Sequence, residues 1–262
     1  MNHRPLLPLV LTAVLLLSTG LACQFLAGGQ PAPTPEVISQ PVQVVTEVPP
    51  PTPVPVQPLE EPTPVPPTEA QSVQFFTEEF DSEATGWTPF VTHGNLSQME
   101  LSTRESRLTF DLKERQLWAY LLYEPQAYND VRIDVSAENR GENQNNISLI
   151  CRYDKERGWY EFNVANSGLY SILFGRWDNS GTTASYANIA DGGSNNIHQG
   201  LAVNTYGMVC KGNTIVVYIN DKEIKRVDDK RGLRDGQIAI GVSSFTRLPV
   251  EVEFDWVRIS EP

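Results

Sequence analysis

The stretch that decides the fold runs from Asn145 to Trp177, NNISLICRYDKERGWYEFNVANSGLYSILFGRW. Apolar and polar residues alternate in three short runs, 147–153, 159–164 and 170–174. A charged segment separates the first two runs, and Asn166-Ser167-Gly168 separates the second from the third. Asn and Gly tolerate the positive φ angles of tight hairpin turns. Alternation of this kind, bounded by turn residues, predicts three consecutive half-buried antiparallel strands.

Similar patterns extend over residues 73–262, where no amphipathic helix of ordinary length is apparent. The segment 178–193 is rich in Gly, Ser, Asn and Ala, and we predict a loop there, around Tyr186 and Ile189. Short strands separated by turns predict an all-β fold, a sandwich of two antiparallel sheets or a jelly roll. The other predicted strands cover 73–80, 99–101, 107–112, 117–123, 128–138, 201–210, 214–219, 222–227, 237–243 and 250–259.

Residues 1–22 have the pattern of an export signal. Arg4 supplies the charge of a short n-region, and the apolar run 6–17 is too short for a comfortable membrane span. We therefore expect an exported protein.

The segment Ser18-Thr19-Gly20-Leu21-Ala22-Cys23 resembles the lipobox of bacterial lipoproteins, in which the cysteine becomes the lipidated first residue of the mature chain. The usual pattern has Leu three residues before the cysteine, where this chain has Gly20. Simple secretion after ordinary signal cleavage, or an uncleaved anchor, therefore stays open. Lipidation of Cys23 is the favoured prediction, since an unpaired thiol is a liability in an exported protein. It implies attachment to the outer face of the cell membrane, at the cell surface.

Residues 23–72 are predicted to be the lipidated cysteine and a disordered Pro/Thr-rich linker. Fourteen of the twenty prolines lie between Pro31 and Pro67, and 24–72 contains no Lys or Arg. Such a composition favours polyproline II and a semi-rigid spacer. A docking site for Pro-reading modules, or O-glycosylated Thr-Pro, is the alternative. The folded domain is predicted to begin at Val73 and to occupy 73–262.

Charge and metal-ligand spacing exclude several classes of function. The net charge of −12 argues against nucleic-acid binding and against electrostatic docking on anionic lipid. The cysteines lack the close pairing of a zinc site, and the three histidines, His3, His93 and His198, are isolated in the sequence.

A series of short motifs, in this order along 73–262, resembles the concanavalin A-like jelly roll, in particular the laminin-G-like and 3-keto-disaccharide-hydrolase-like domains of bacterial surface proteins. The resemblance implies a jelly roll, a fold that hosts lectins, glycosidases and adhesion modules, so it does not select a ligand. The motifs are Phe80-Asp81, Gly86-Trp87, Tyr128-Asn129-Asp130-Val131, Leu149-Ile150-Cys151-Arg152-Tyr153, Trp159-Tyr160-Glu161-Phe162, Val217-Tyr218-Ile219-Asn220, Gly236-x-Ile238-x-Ile240-Gly241 and Phe254-Asp255-x-Val257.

Cys151 and Cys210 both fall in predicted strands, on the phase that faces the core. Export permits disulfides, so we predict a bond between these two residues, with two buried free thiols as the alternative. No histidine is placed by motif to activate either thiol, which argues against a catalytic cysteine.

The catalytic carboxylate pattern of laminarinase-type glycosidases, Glu-x-Asp-x-x-Glu, is missing. At the nearest match, Arg132 and Ala137 stand at the two Glu positions around Asp134. Glu251, Glu253 and Asp255 share one strand face, which we interpret as a solvated outer face. The sequence therefore favours a non-catalytic module over an enzyme.

Sugar binding needs aromatic platforms and polar groups that hydrogen-bond hydroxyls. The candidate sugar-binding residues lie at the polar positions of the central strands, just after these strands, and on one earlier strand. They could form a concave binding face with Arg152 paired to Glu161, or they could be packing residues with a cross-strand ion pair. The candidates are Arg152, Trp159, Glu161, Asn163, Trp177, Asp178, Trp118 and Tyr120.

No organic cofactor is expected. Structural calcium is a candidate, because folds related to this one often hold it with loop carboxylates and carbonyls. Asp81 and Asp255 are the favoured ligands, and ordinary turn aspartates are the alternative. Further candidates are Asp228, Asp229 and Asp235.

Three hypotheses for function follow from the sequence. The favoured one is a surface-anchored lipoprotein that presents a non-catalytic, carbohydrate-binding or adhesive jelly-roll module to a glycan or surface polymer. The second is a structural or protein-interaction domain of the envelope without a small ligand. The third, by analogy with 3-keto-disaccharide hydrolases, is a sugar-cleaving hydrolase.

Overall fold

The structure is a computed structural model that describes residues 74–262. The predictions for the export signal, Cys23 and the linker lie outside these residues. Fifteen strands and one turn of 3₁₀ helix, Leu96–Gln98, make up the described part. The strands are β1 (Phe76–Glu78), β2 (Trp87–His93), β3 (Met99–Arg104), β4 (Arg107–Leu112), β5 (Trp118–Tyr128), β6 (Val131–Asn139), β7 (Asn145–Asp154), β8 (Gly158–Ala165), β9 (Leu169–Trp177), β10 (Ala184–Gly193), β11 (Val203–Lys211), β12 (Thr214–Ile219), β13 (Lys222–Asp228), β14 (Gly236–Ser244) and β15 (Val250–Ser260).

The strands form two sheets with antiparallel pairing between neighbours. The eight-stranded sheet has the order β13-β12-β11-β6-β15-β4-β3, with β1 added beside β15. The seven-stranded sheet has the order β10-β9-β8-β7-β14-β5-β2. Both sheets contain neighbours that are distant in sequence, such as β6 beside β15 and β7 beside β14, so neither sheet is a simple meander. The all-β prediction is confirmed.

The core lies between the sheets and is built from the inward phase of each strand. Leu149 of β7 and Tyr160 and Phe162 of β8 meet Val135 of β6 and Phe254 of β15 there, all at most 2 % exposed. Burial of these apolar surfaces is the main favourable term for folding. The three-strand block 145–177 thus supplies β7, β8 and β9, at the centre of the seven-stranded sheet.

The predicted disulfide is present and joins the two sheets. Cys151 lies on β7 and Cys210 on β11, with Cα atoms 6.6 Å apart. Both cysteines are fully buried in the core. The bond closes a sequence separation of 59 residues, so it restricts the unfolded chain as well as tying the layers together.

Two strands were not predicted, and they are the two edges of the seven-stranded sheet. The segment 178–193, predicted to be a loop, contains β10, and no strand was predicted where β2 lies. Pro89 in β2 and Gly192-Gly193 in β10 weaken the β signal, and such residues are tolerated at sheet edges. Within residues 74–262, no helix is long and apolar enough to cross a membrane.

Candidate functional site

Strand β8 is buried on both of its faces, which is unusual for a strand in a two-layer sandwich. Tyr160 and Phe162 point into the core, while Trp159, Glu161 and Asn163 lie on the opposite face of the sheet. We call that opposite surface of the seven-stranded sheet the concave face. Because all three of these side chains are buried, other parts of the chain must cover it.

The cover is an aromatic cluster contributed by six of the seven strands. Trp159 lies 5.4 Å from Tyr153, 5.8 Å from Trp177 and 5.9 Å from Tyr186, measured between ring centroids. Phe90 stacks on Tyr120 at 5.0 Å. The cluster, to which Trp118 also belongs, thus spreads over β2, β5, β7, β8, β9 and β10.

Two glycines allow the rings to lie flat against the sheet. Gly175 of β9 pairs with Trp159, and Gly241 of β14 pairs with Tyr120. A Cβ at either glycine would overlap the ring beside it. The aromatic side chains therefore occupy the space that a groove along this face would need.

The sheet curls until its two edge strands meet across the concave face. Tyr186 of β10 donates a hydrogen bond to Oγ1 of Thr92 on β2 at 2.9 Å. A flat sheet would hold these edge strands about 29 Å apart, six strand spacings. The hydroxyl of Tyr186 also lies 3.3 Å from that of Tyr120, so it is held at two points.

Glu161 is the fully buried carboxyl group of this face. Its Oε1 accepts hydrogen bonds from the Tyr120 hydroxyl and from Asn163 Nδ2, both at 2.9 Å, and its Oε2 accepts one from Trp159 Nε1 at 3.0 Å. Ser148 donates in turn to Asn163 Oδ1 at 2.6 Å. Burial raises the pKa of Glu161, and the hydrogen bonds from its neighbours offset only part of that effect. Burial likewise raises the pKa of Tyr120 and of Tyr186.

A cavity of about 320 Å³ opens beside the aromatic cluster. Its wall includes Trp118, which is partly exposed and meets Tyr186 edge-on at 5.0 Å. His93 lies 6.3 Å from Trp118, again between ring centroids. The lining residues are His93, Gln116, Trp118, Ala184 and Phe245.

Arg152 does not pair with Glu161, and this part of the site prediction is wrong. Its backbone has φ of +55°, and a bulge interrupts the pairing of β7 with β8 between Cys151 and Asp154. The bulge breaks the alternation, so Arg152 leaves the concave face. Tyr153, which shares the core-facing phase of Cys151 in the sequence pattern, joins the aromatic cluster instead.

The guanidinium of Arg152 holds loops together at one end of the sandwich. It donates to the backbone carbonyls of Asn129, Gly212 and Leu233 at 2.7 to 3.1 Å. Asp130 completes the set with a 3.3 Å ion pair. Arg152 is therefore a buried structural residue.

The remaining predicted ligand-binding residues fall into two groups. Tyr120, Trp159 and Glu161 are fully buried and Asn163 is nearly so, so ligand contact by these four requires the concave face to open. Trp118 and Trp177 are partly exposed. Trp177 donates to the Tyr153 hydroxyl at 3.1 Å, which fixes its ring in the cluster.

Asp178 lies in an exposed turn just after β9. Its Oδ1 accepts from Ser180 Oγ at 2.8 Å and from the backbone N–H of Thr182 at 3.2 Å. The hydrogen bond from Ser180 is the main reason that its pKa is lowered. These contacts give Asp178 a local role in the turn.

The carboxylates considered for catalysis lie on the other sheet. Asp134 of β6 accepts two hydrogen bonds from Arg132, on the outer surface of the eight-stranded sheet. Glu253 on β15 contacts Arg107 at 3.1 Å and Arg140 at 3.0 Å. An ion-pair network on an outer face agrees with the interpretation of Glu251, Glu253 and Asp255.

The calcium candidates are spread over the structure. Asp255 lies 3.7 Å from Arg107, Asp235 ion-pairs with Arg157, and Asp229 accepts from Tyr160 and Arg231. Asp228 accepts from Thr214, and Asp81 is exposed in the bend after β1. Nowhere in 74–262 do three His, Cys, Asp or Glu residues gather as a metal site would need. The candidate aspartates therefore do not form a group that could surround one calcium ion. Calcium binding stays a prediction.

Four residues of the cavity wall, and Tyr186, were missed by the sequence prediction. His93, Gln116, Ala184 and Phe245 lie at strand ends or turns, where no alternation marks a face. Tyr186 was noted only as part of a loop. An aromatic residue inside a Gly/Ser/Asn-rich segment was the available signal, because such a residue seldom stays solvent-exposed without a partner.

Solved structures with the same architecture have little sequence similarity to the chain. The Bacillus licheniformis beta-glucanase superposes with a TM-score of 0.50 at 13 % identity, covering 73 % of this chain and 100 % of that one. The fold is a concanavalin A-like jelly roll. A prokaryotic beta-1,3-1,4-glucanase derived from a mouse hindgut metagenome gives a TM-score of 0.52 at 11 % identity, covering 72 % of this chain and 100 % of that one.

A protein of unknown function with a galectin-like fold from Bacillus subtilis gives the same TM-score, 0.52, at 9 % identity, with 71 % of this chain and 94 % of that chain covered. At such identities, the shared jelly roll establishes the fold alone. No protein-family model matches the sequence, and no curated protein matches it either.

Proposed function

We propose that the protein is a cell-surface lipoprotein whose jelly roll binds carbohydrate without cleaving it. The observation that carries the proposal is the cavity beside Trp118. A partly exposed indole face, a second aromatic wall at Phe245 and the polar groups of Gln116 and His93 surround it. This combination of an aromatic platform with a few hydrogen-bonding groups suits a sugar ring.

The arrangement of carboxyl groups supports binding without hydrolysis. Glycosidases that retain configuration need two carboxyl groups about 5 Å apart, and inverting ones need a pair roughly 6.5–9.5 Å apart. The groups that contact Glu161 are the neutral side chains of Tyr120, Trp159 and Asn163. Asp134 lies on the outer surface of the other sheet, with the core between. Jelly-roll glucanases superpose on this chain, so hydrolysis is the alternative that the test must include.

Binding is tested with the full-length protein in detergent. It is passed over immobilised neutral polysaccharides (mixed-linkage β-glucan, β-1,3-glucan, levan, galactan and mannan) and over the anionic alginate and polygalacturonate. We expect retention on at least one of these polymers and no release of reducing sugar. Trp118→Ala should weaken retention about tenfold or more, as loss of a central aromatic contact does.

Trp256→Ala is the matched control. Trp256 is also partly exposed, but it lies on β15 in the eight-stranded sheet, away from the cavity. Equal loss in both variants would contradict the site, and release of reducing sugar would favour the hydrolase. Retention on none of the polymers would favour the protein-interaction domain, which the exposed side chains of Leu169, Leu201 and Val203 would suit.

Anchoring rests on the sequence around Cys23 and on the Pro-rich segment that follows it. Metabolic labelling with a fatty acid should label the wild-type protein in a lipoprotein-processing host. Cys23→Ser should remove the label and release the protein from the membrane fraction. Labelling that survives the substitution would overturn this part of the proposal.

A further inference from the structure

The concave face is closed by side chains that cross it from one edge of the sheet to the other. Tyr186 of β10 reaches Thr92 of β2, and Trp177 of β9 lies 6.3 Å from Phe90 of β2. These contacts link strands that are not neighbours in the sheet. A polysaccharide chain therefore has no open path along this face.

The contacts of Tyr186 with Thr92 and of Trp177 with Phe90 form a barrier across the face, and the cavity lies beside it. Trp118 forms part of its wall and contacts Tyr186, the residue that makes the crossing. Its volume, about 320 Å³, lies at the lower end of the ~300–1,000 Å³ range of small-molecule pockets. A pocket of that size suits roughly one or two sugar rings. Toward Tyr186, the barrier would block a ligand that continues beyond them.

The chemistry of the cavity wall suits an uncharged ligand. The lining contains the rings of Trp118 and Phe245, the polar side chains of His93 and Gln116 and the methyl group of Ala184, and neither Lys nor Arg. Carboxylate or sulfate groups on a sugar are normally bound by such cations, often with bidentate geometry. The chain's net charge of −12 also disfavours the approach of a polyanion.

We propose that the cavity beside Trp118 recognises the end of a neutral glycan chain, and not an internal segment of one. The inference rests on the proposed carbohydrate binding and adds the mode of recognition and the charge class of the ligand. The aromatic wall contacts the terminal sugar rings, and Gln116 hydrogen-bonds their hydroxyls. The side chain of Tyr186 blocks any continuation of the glycan in its direction.

The test is calorimetric titration of the full-length protein with each neutral polysaccharide that retains it, and with the dimer and hexamer of the same sugar. Recognition of a chain end predicts affinities for dimer and hexamer within about threefold of each other, which is less than 1 kcal/mol. It also predicts that the number of protein molecules bound per polymer chain is unchanged between long and short size fractions.

A hexamer that binds about tenfold or more tighter than the dimer, or a number of bound protein molecules that rises with polymer length, would overturn the inference while leaving carbohydrate binding intact. Retention on the anionic polymers alone would overturn the assignment of a neutral ligand. Retention on no polymer would overturn the proposed function itself, so the two failures are distinguishable.

Two substitutions at Tyr186 examine the barrier directly. Tyr186→Phe keeps the ring in place and should preserve equal binding of dimer and hexamer. Tyr186→Ala removes the crossing side chain, so a preference for the hexamer should appear. If the alanine variant does not fold, the titration of the wild-type protein still decides the question.

Discussion

The hydroxyl of Tyr186 lies 2.9 Å from Oγ1 of Thr92, although five strands separate β10 from β2 in the sheet. Thr92 is 1 % exposed, so the hydrogen bond is shielded from water. This hydrogen bond thus joins the two edge strands of the seven-stranded sheet and helps to close its concave face.

We expect this hydrogen bond to stabilise the folded protein measurably. Tyr186→Phe and Thr92→Val should each lower the free energy of unfolding by about 1 kcal/mol, and the double variant should lose less than the sum because the two groups interact. The measurement is denaturant unfolding of the wild type, the two single variants and the double variant, which together form a double-mutant cycle.

Tyr170→Phe is the control for loss of a tyrosine hydroxyl. Tyr170 lies on the neighbouring strand β9, and its hydroxyl donates no hydrogen bond to residues 74–262. This variant should unfold like the wild type. Strictly additive losses at Tyr186 and Thr92 would show that the two groups are not coupled.

Glu161 should make the free energy of unfolding decline as the pH rises above the unfolded pKa of 4.5. Burial raises its pKa in the folded protein, whereas the unfolded chain releases the proton near the ordinary value of 4.5. Between these two pKa values, the folded state binds more protons than the unfolded state, so increasing pH favours unfolding. This contribution to stability is complete below the unfolded pKa and is lost as the pH rises through the folded one.

Glu161→Gln cannot ionise and should remove this decline. The free energy of unfolding of the variant, relative to the wild type, should therefore increase as the pH rises from the unfolded pKa of 4.5 toward the higher folded pKa. Glu156→Gln, in the exposed turn before β8, should show no such trend. A relative stability of Glu161→Gln that stays constant or falls with pH would contradict the assignment.

Arg152 should be indispensable for stability although it lies outside the cavity. Arg152→Lys cannot supply the planar set of donors that holds three carbonyl groups, and it leaves some of them buried without a partner. We expect a loss of about 3 kcal/mol in the free energy of unfolding.

The same substitution at Arg226 serves as the reference. Its side chain is 56 % exposed and pairs with Glu223 on the surface. Arg226→Lys should change stability by less than about 0.5 kcal/mol, as surface substitutions usually do. Equal effects at both arginines would refute the structural role of Arg152.

Reduction of the Cys151–Cys210 disulfide should destabilise the sandwich. With a sequence separation of 59 between the cysteines, the chain-entropy estimate is about 4 kcal/mol. Denaturant unfolding with and without reductant measures the loss. The variant Cys151→Ala/Cys210→Ala should show no response to reductant, and alkylation followed by mass measurement reports the thiols that reduction exposes.

The centre of the fold could be predicted from the sequence, and its edges could not. In β8 every core residue alternates with a residue of the concave face, so the two-residue periodicity of a strand is clear in its sequence. In β2 and β10 the alternation is interrupted by Pro89 and by Gly192-Gly193. Those strands pair with β5 and β9, and Thr92 and Tyr186 meet across the sheet; these are tertiary contacts that local sequence does not encode.

The candidate site was also only partly predictable from the sequence. Trp159, Glu161 and Asn163 share a face, as their spacing indicates, and Trp118 forms part of the cavity. Arg152 was misplaced because a positive φ at a non-glycine residue shifts the phase of β7 without any signal in the residue pattern. Tyr120, which donates to Glu161, lies 3.3 Å from the hydroxyl of Tyr186, a residue of an unpredicted strand.

The eight-stranded sheet has β13 at one edge, and its sequence, Lys222-Glu223-Ile224-Lys225-Arg226-Val227-Asp228, is mostly charged. An open strand edge is a template on which another chain can pair, and charges along it make such pairing unfavourable. Copies of the domain crowded on a surface would meet one another often. The charges of β13 would then keep neighbouring copies from adding strand to strand into aggregates.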